Sequence, residues 1–309
     1  MKNARKYGFF EPFCAARCSL RSCPAQPAGR EKQKTFVNFR PRWLNRLGLN
    51  LQSFFCCFFV HKKAVLTCVT LLLPMAASAE TNLATAPISR ANLAWWQTRF
   101  ENTLADARAH PDARVVWLGD SITQYWQRQG TLGYDNVLPV WTKYYGPYDA
   151  VDCGVVGDTT SSLIWRLNHG QVAGLHPRLA IILIGANNFG RVHWGAEMTI
   201  PGIEAVVADT HAHLPHAHIL LLGVLPSVRS AWVDAQTRTT NAALAQHYAG
   251  STLVTFVDVG PVLMKGGVVD QALFVDPRMV PPEPALHPDA EGMTRIARRI
   301  APIVAAYAQ

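Results

Sequence analysis

Four short polar clusters carry the side chains able to do chemistry. Gly119-Asp120-Ser121 closes one apolar run, and Gly157-Asp158-Thr159-Thr160 follows a second. Gly185-Ala186-Asn187-Asn188 closes a third, and His287 lies in Pro284-Ala-Leu-His287-Pro288-Asp289, before a final amphipathic stretch. Ser121 stands between a strand pattern and a helix pattern, so its hydroxyl is exposed where backbone N–H groups point outward. A serine hydroxyl needs a base to act as a nucleophile, and a loop histidine such as His287 can serve. Gly157 lets its N–H approach a reacting carbonyl closely, and Asn187 offers an amide donor. With the Ser121 N–H they make a three-donor oxyanion hole, which stabilises charge that develops only in the transition state. Each residue also has a plainer reading: an N-cap serine, turn residues at Gly157 and Asn187, and a solvated loop histidine.

The elements that must position these residues alternate between strands and helices. Apolar runs at Arg114–Leu118, Asp149–Asp152, Leu179–Ile184, His218–Gly223 and Leu253–Val257 read as strands. Helical spacing covers Ile88–His110, Ser161–Asn168, Val233–Tyr248 and Ala290–Tyr307, and Pro201 opens a helix to about His213. Pro302 kinks or restarts the last of these. In the first, Leu93, Trp96, Phe100, Leu104 and Ala107 share a face, and Trp95-Trp96 reads as core packing. Five continuous apolar strands separated by helices predict a parallel sheet covered on both faces. Ligands bind such sheets beyond the carboxyl ends of the strands, so the clusters converge on one rim.

Charge divides the 309-residue chain in two. Residues 1–79 carry 13 of the 29 basic residues and only Glu11 and Glu31, for a net charge of +11. Residues 80–309 are net −3, and only Cys153 of the seven cysteines lies there. The overall +8 therefore points to no nucleic-acid partner, and Arg298-Arg299 reads as a solvated helix face. Lys62-Lys63, the apolar run Ala64–Leu73 and Ala77-Ser78-Ala79 have the order of a secretory signal peptide over 60–79. Cleavage after Ala79 leaves Glu80 as the mature N-terminus, secreted or periplasmic, with no stable membrane span. An uncleaved anchor is the alternative, since Phe54–Val60 lengthens the apolar zone. Residues 1–59 show no sustained period and are expected to be an over-extended reading frame or disordered. Residues 80–309 are expected to form a single domain, large enough to need no disulfide or metal staple.

Taken together, Gly119-Asp-Ser-Ile-Thr123, Gly157-Asp-Thr-Thr160, Ile184-Gly-Ala-Asn-Asn188 and Leu286-His-Pro-Asp-Ala-Glu-Gly292 resemble the SGNH (GDSL-type) hydrolases. The platelet-activating-factor acetylhydrolase-like and carbohydrate acetylesterase branches are nearest in pattern, with Arg166-Leu167 and Leu220–Pro226 also fitting. The resemblance covers about 95–305. It implies a flavodoxin-like three-layer α/β/α sandwich with a five-stranded parallel sheet. It also implies Ser121 as nucleophile, His287 as base and acid, and Ser121, Gly157 and Asn187 as oxyanion donors. No metal or organic cofactor is implied.

One position departs from the pattern. The family places an Asp three residues before the His, where this chain has Pro284. Glu283 ranks first as the acid that orients the imidazole, Asp276 second and Asp258 third; a Ser–His dyad is the remaining option. Asp120, Asn188 and Trp194 are placed at the substrate, and Phe189, Val192 and His193 either line a pocket or pack the loop. His211, His213, His216 and His218 resemble a metal cluster, but no acid or cysteine completes the set. The expected activity is hydrolysis of short-chain esters, acetyl above all, through an acyl-enzyme. The substrate is a small molecule or a glycan or lipid ester. A lysophospholipase or thioesterase and a non-catalytic carbohydrate-binding relative are the alternatives.

Overall fold

A computed structural model describes residues 81–277 and 284–309. The expected signal peptide and the segment before it lie outside the described residues, and so does Glu283. Five strands, β1 (Val115–Gly119), β2 (Val151–Gly154), β3 (Leu179–Leu183), β4 (His218–Leu222) and β5 (Val254–Val257), form one parallel sheet in the order β2-β1-β3-β4-β5. The chain leaves β1 in one direction to make β2 and crosses to the other side to make β3. The rim of β1 and β3 is therefore the topological switch point.

Alternation along each strand sends side chains to two cores. Val116, Leu118, Ala180, Ile182, Ile219 and Leu221 pack beneath α4 (Thr160–Asn168), α6 (Ala196–His213) and α7 (Ala231–His247). Val115, Trp117, Ile181, Leu183 and Leu220 face α3 (Leu138–Tyr144) and α8 (Ala290–Ala308). On α8, Met293, Ile296, Ala297 and Ile300 are all buried at three- and four-residue spacing. This is the three-layer α/β/α sandwich with a five-stranded parallel sheet that the motifs implied.

Several boundaries differ from the sequence reading. The first helix, α1, is Ala94–Ala109 rather than starting at Ile88. Ile88 donates to Ser161 O at 3.2 Å, and Arg90 donates to Val156 O at 2.9 Å, so this segment is tied to the loop after β2 instead of coiling. Within α1, Trp96 is buried while Trp95 is 50% exposed, so only one of the pair is core. Pro201 sits inside α6, which starts five residues earlier at Ala196. Gly195 O accepts from the Met198 and Thr199 amides, and Ala196 N donates to Gln236 Oε1 at 2.6 Å. These bonds, with Ala196 and Thr199 buried, offset the one helical bond that a proline forfeits. Pro302 is likewise accommodated within α8. A two-stranded hairpin, β6 (Met264–Lys265) and β7 (Val268–Val269), follows β5.

A buried ion pair closes the rim. The fully buried Arg166 of α4 donates to Asp158 Oδ2 at 2.8 Å, Gly119 O at 2.9 Å and Cys153 O at 2.8 Å. It also donates to Gln171 Oε1 at 2.5 Å. One guanidinium thus joins the end of β1, β2 and the loop after β2. Arg166→Met removes one of the two arginine partners of the buried Asp158 and leaves only Arg90, and we expect a loss of about 3 kcal/mol in urea unfolding. The double variant Arg166→Met/Asp158→Asn should lose less than the sum of the two single changes; strict additivity would show that the pair does not act as a unit.

Candidate active site

The short helix α2 (Ser121–Gln124) begins directly after β1. Its N-cap is Asp120, whose Oδ1 accepts from Ile122 N at 2.9 Å; Ser121 is the first helical residue, not the cap. The close seat of α2 on the sheet depends on Gly154, where a Cβ would run into the Gln124 backbone. The Ser121 hydroxyl thereby stands at the rim beside the loop that brings in His287.

His287 Nε2 lies 2.8 Å from Ser121 Oγ, and His287 Nδ1 lies 2.5 Å from Asp276 Oδ1. Asp276 Oδ2 accepts from the Leu286 and His287 amides at 2.5 and 3.1 Å, so the carboxylate is clamped as well as paired. Burial pushes the Asp276 carboxyl up. The hydrogen bond and charge of His287, with the two amides, outweigh that and hold it below its ordinary value. Asp276 therefore stays ionised at neutral pH. The acid that meets the imidazole is thus Asp276, ranked second from the sequence. Nδ1 has one hydrogen to give, and Asp276 takes it, while Glu283, ranked first from the sequence, lies outside the described residues. Asp258 is engaged elsewhere, accepting from Gly260 N at 2.8 Å. The antiparallel bridge between Phe274 and Pro288 explains how an acid eleven residues upstream reaches the ring.

Tyr125 and Tyr134, which sequence reasoning missed, complete this side. The Tyr125 ring lies 4.4 Å from the His287 ring, and Tyr134 Oη donates to Asp276 Oδ1 at 3.4 Å. The Arg128 guanidinium sits over both tyrosine rings. No spacing rule links residues 125, 128 and 134 to 276 and 287; only the folded chain brings them together.

Opposite the histidine are the donors. Among the described residues, neither the Ser121 nor the Gly157 amide has an acceptor within the protein. Gly157 has φ +73°, a conformation that favours glycine. Asn187 Nδ2 donates to Asp120 Oδ2 at 3.1 Å and to Asp158 O at 3.0 Å, so its two hydrogens already have partners. Burial pushes the Asp120 carboxyl up to about 7, against the pull of the Ile122 amide. Asp120 and Asn188, placed at the substrate from sequence, are instead internal supports. Asp120 caps α2 and holds Asn187. Asn188 is fully buried, with Oδ1 accepting from Thr160 N at 3.0 Å and Nδ2 donating to Thr160 Oγ1 at 2.9 Å. Trp194 is half-buried in the turn after α5 (Ala186–Gly190), its amide donating to Asn188 O at 2.8 Å. Phe189 is buried, while Val192 and His193 are exposed.

A cavity of about 10 Å³ lies alongside, walled by Ala186, Phe189, Val224, Leu225 and Leu286. Two of these residues adjoin Asn187 and His287 in the chain. Among the described residues no group of three or more His, Cys, Asp or Glu could hold a metal. His213 bonds Asn168 and His218 bonds Thr255. Cys153 is buried and free, its thiol pushed up to about 12 by burial. No described helix is long and apolar enough to cross a membrane.

A serine, an imidazole and a clamped carboxylate in hydrogen-bond register, facing two unoccupied backbone donors, are equipped for acyl transfer. Comparison with known proteins agrees with that chemistry. The model of the GDSL-like lipase/acylhydrolase family matches residues 117–295, and the chain belongs to that family. It is 26% identical over 167 residues to bovine platelet-activating factor acetylhydrolase IB subunit alpha1, covering 54% of this chain and 66% of the relative. It is 30% identical over 132 residues to the chicken alpha2 subunit, covering 42% of this chain and 52% of that one. Less than two thirds of either relative is therefore spanned. The fold matches a GDSL-like lipase from Bacteroides thetaiotaomicron with TM-score 0.52 at 20% identity, covering 67% of this chain and 97% of that one.

If Asp276 orients His287, Asp276→Asn should lower kcat for an aryl acetate by roughly 10³–10⁴-fold with the fold intact. Glu283→Gln should stay within about twofold of the unmodified enzyme, well under one hydrogen bond's worth of rate. Loss of activity in Glu283→Gln together with retention in Asp276→Asn would reverse the assignment.

Proposed function

We propose that this chain is an exported serine esterase that removes short acyl groups, acetyl above all, through an acyl-enzyme on Ser121. The observation that carries the reading is the unbroken line Ser121 Oγ–His287 Nε2, His287 Nδ1–Asp276. In the proposed reaction His287 takes the Ser121 proton as Oγ attacks the ester carbonyl, and a tetrahedral oxyanion forms. The Ser121 and Gly157 amides meet that oxyanion. Asn187 joins them by turning one hydrogen away from Asp120, a carboxyl that burial already inclines toward its neutral, weaker-accepting form. His287 then protonates the leaving alcohol. Water, activated by the same imidazole, attacks the acyl-Ser121 carbonyl and releases the acid, which restores the serine.

Two observations support a small acyl group. The cavity walled in part by Ala186 and Leu286, chain neighbours of Asn187 and His287, has room for about one water-sized group. The mammalian and avian relatives are named as acetylhydrolases. Export is supported by the basic, apolar and small-residue order of 62–79.

Ser121→Ala should abolish fluorophosphonate labelling and lower 4-nitrophenyl acetate turnover by roughly 10⁴-fold or more. Across an acyl series, kcat/KM should be highest at acetyl and fall steadily with chain length. Labelling of the Ser121→Ala protein would overturn the nucleophile, and a maximum at long acyl chains would overturn the acetyl preference. N-terminal sequencing of protein recovered outside the cytoplasm should begin at Glu80; a chain that retains residues before 60 would refute processed export.

A further inference from the structure

We propose that Arg90 and Arg191 form a subsite, beside Gly157, for an anionic group on the alcohol portion of the ester substrate. The group would be a carboxylate or a phosphate. The inference rests on the esterase reading above and adds the substrate's charge to it.

Three separate segments meet at this place: the stretch before α1, the loop after β2 and the turn after α5. A side chain at residue 157 would collide with Arg191 Nη1 and would lie 3.2 Å from Arg90 Nη2 and 3.3 Å from Arg90 Nη1. Both guanidiniums therefore crowd the glycine proposed above as an oxyanion donor. Arg90 is held rigidly, with Nη1 donating to Val156 O at 2.9 Å and to Asp158 Oδ1 at 2.8 Å. Its Nη2 is buried and has no partner. Burying a guanidinium nitrogen without an acceptor is costly, and a ligand oxygen removes that cost. Arg191 is exposed and has no ion pair or hydrogen-bonded acceptor for its side chain among the described residues.

Charge balance points the same way. Asp158 pairs with both Arg90 and Arg166, and the charges of Arg166 and Arg191 both act on Arg90. Arg191 has no carboxylate partner of its own among the described residues, and like charges packed this closely call for an anion. Trp95, 50% exposed, lies 5.2 Å from the Arg90 guanidinium and gives the subsite an apolar wall.

The assignment to the alcohol half follows from the proposed acyl position. The small cavity is walled by residues that follow β3 and β4, while Gly157 follows β2, on the other side of β1 and Ser121. An acyl group in the cavity directs the alcohol toward Gly157 and the two arginines.

The test compares kcat/KM at fixed ionic strength for O-acetylglycolate and O-acetylglycol phosphate with their neutral methyl esters. The native enzyme should prefer the anionic esters by about tenfold or more, the effect of one charge-assisted hydrogen bond. Arg191→Gln should bring that ratio close to one, and Arg191→Lys should keep part of it. The ester with the larger ratio tells carboxylate from phosphate. A flat ratio in the native enzyme, or one unchanged in Arg191→Gln, overturns the subsite while Ser121-dependent hydrolysis of neutral esters leaves the esterase reading standing. If no ester is hydrolysed, the esterase reading falls. Calorimetric titration with malonate and inorganic phosphate then decides the anion site, which requires binding to the native protein that is lost in Arg191→Gln; equal heats, or none, in both proteins overturn it.

Discussion

The site depends on one buried charge pair. Asp158 and Arg166 are both inaccessible to solvent, and each is a charged partner of the other. Arg166 uses its remaining hydrogens on the carbonyls of Gly119 and Cys153, so it fastens the ends of β1 and β2 to the loop that carries Gly157. Asp158 in turn accepts from Trp96 Nε1 at 2.6 Å and from Arg90, which docks α1 and the segment before it. Asp158 O takes one hydrogen of Asn187. The strand that leads to Ser121, the loops that carry Gly157 and Asn187, and the outer helix are thus held to a common charged centre.

That arrangement separates support from reaction. Asp120, Asn188, Asp158 and Arg166 are buried and bonded to surrounding side chains and backbone, and they fix where the loops run. Ser121, Gly157 and His287 are left with atoms that face the rim. A buried polar group with complete partners makes rigid scaffolding, whereas an unoccupied backbone donor is poised for charge that appears only during reaction. The same distinction sets Arg90 apart from Arg166. Both arginines pair with Asp158, but only Arg90 keeps a buried nitrogen without a partner.

His287 is supported differently, by a loop rather than by the sheet. Asp276 reaches Nδ1 because the segment ending at Val275 pairs with the segment holding His287, whose carbonyl accepts from Val275 N at 2.8 Å. The carboxylate also takes two amides from Leu286 and His287. Pro284, at the position where the family carries its acid, removes the usual side chain. A local backbone pairing brings in another from further up the chain.

Much of this protein was legible in the order of its residues. Apolar runs five residues long, ending in Gly-Asp-Ser, in the loop to Gly157 and in Gly-Ala-Asn-Asn, determine a parallel sheet with one reactive rim, because strand ends in such a sheet share a side. Ser121, Gly157, Asn187 and His287 were singled out as candidates on that basis together with the family resemblance. Helix limits were less legible: Pro201 signals a start, yet long-range bonds through Gly195 and Gln236 carry α6 past it. The roles of Asp120 and Asn188 were not legible, because a polar side chain beside a motif reads as substrate-facing until burial turns it inward. Only the tertiary structure decided that Asp276 orients His287, that Tyr125 and Tyr134 flank it, and that Arg90 and Arg191 meet over Gly157. These contacts join residues ten to more than a hundred positions apart. They are set by which loops the sheet order brings to the same rim, and no local period or spacing records that.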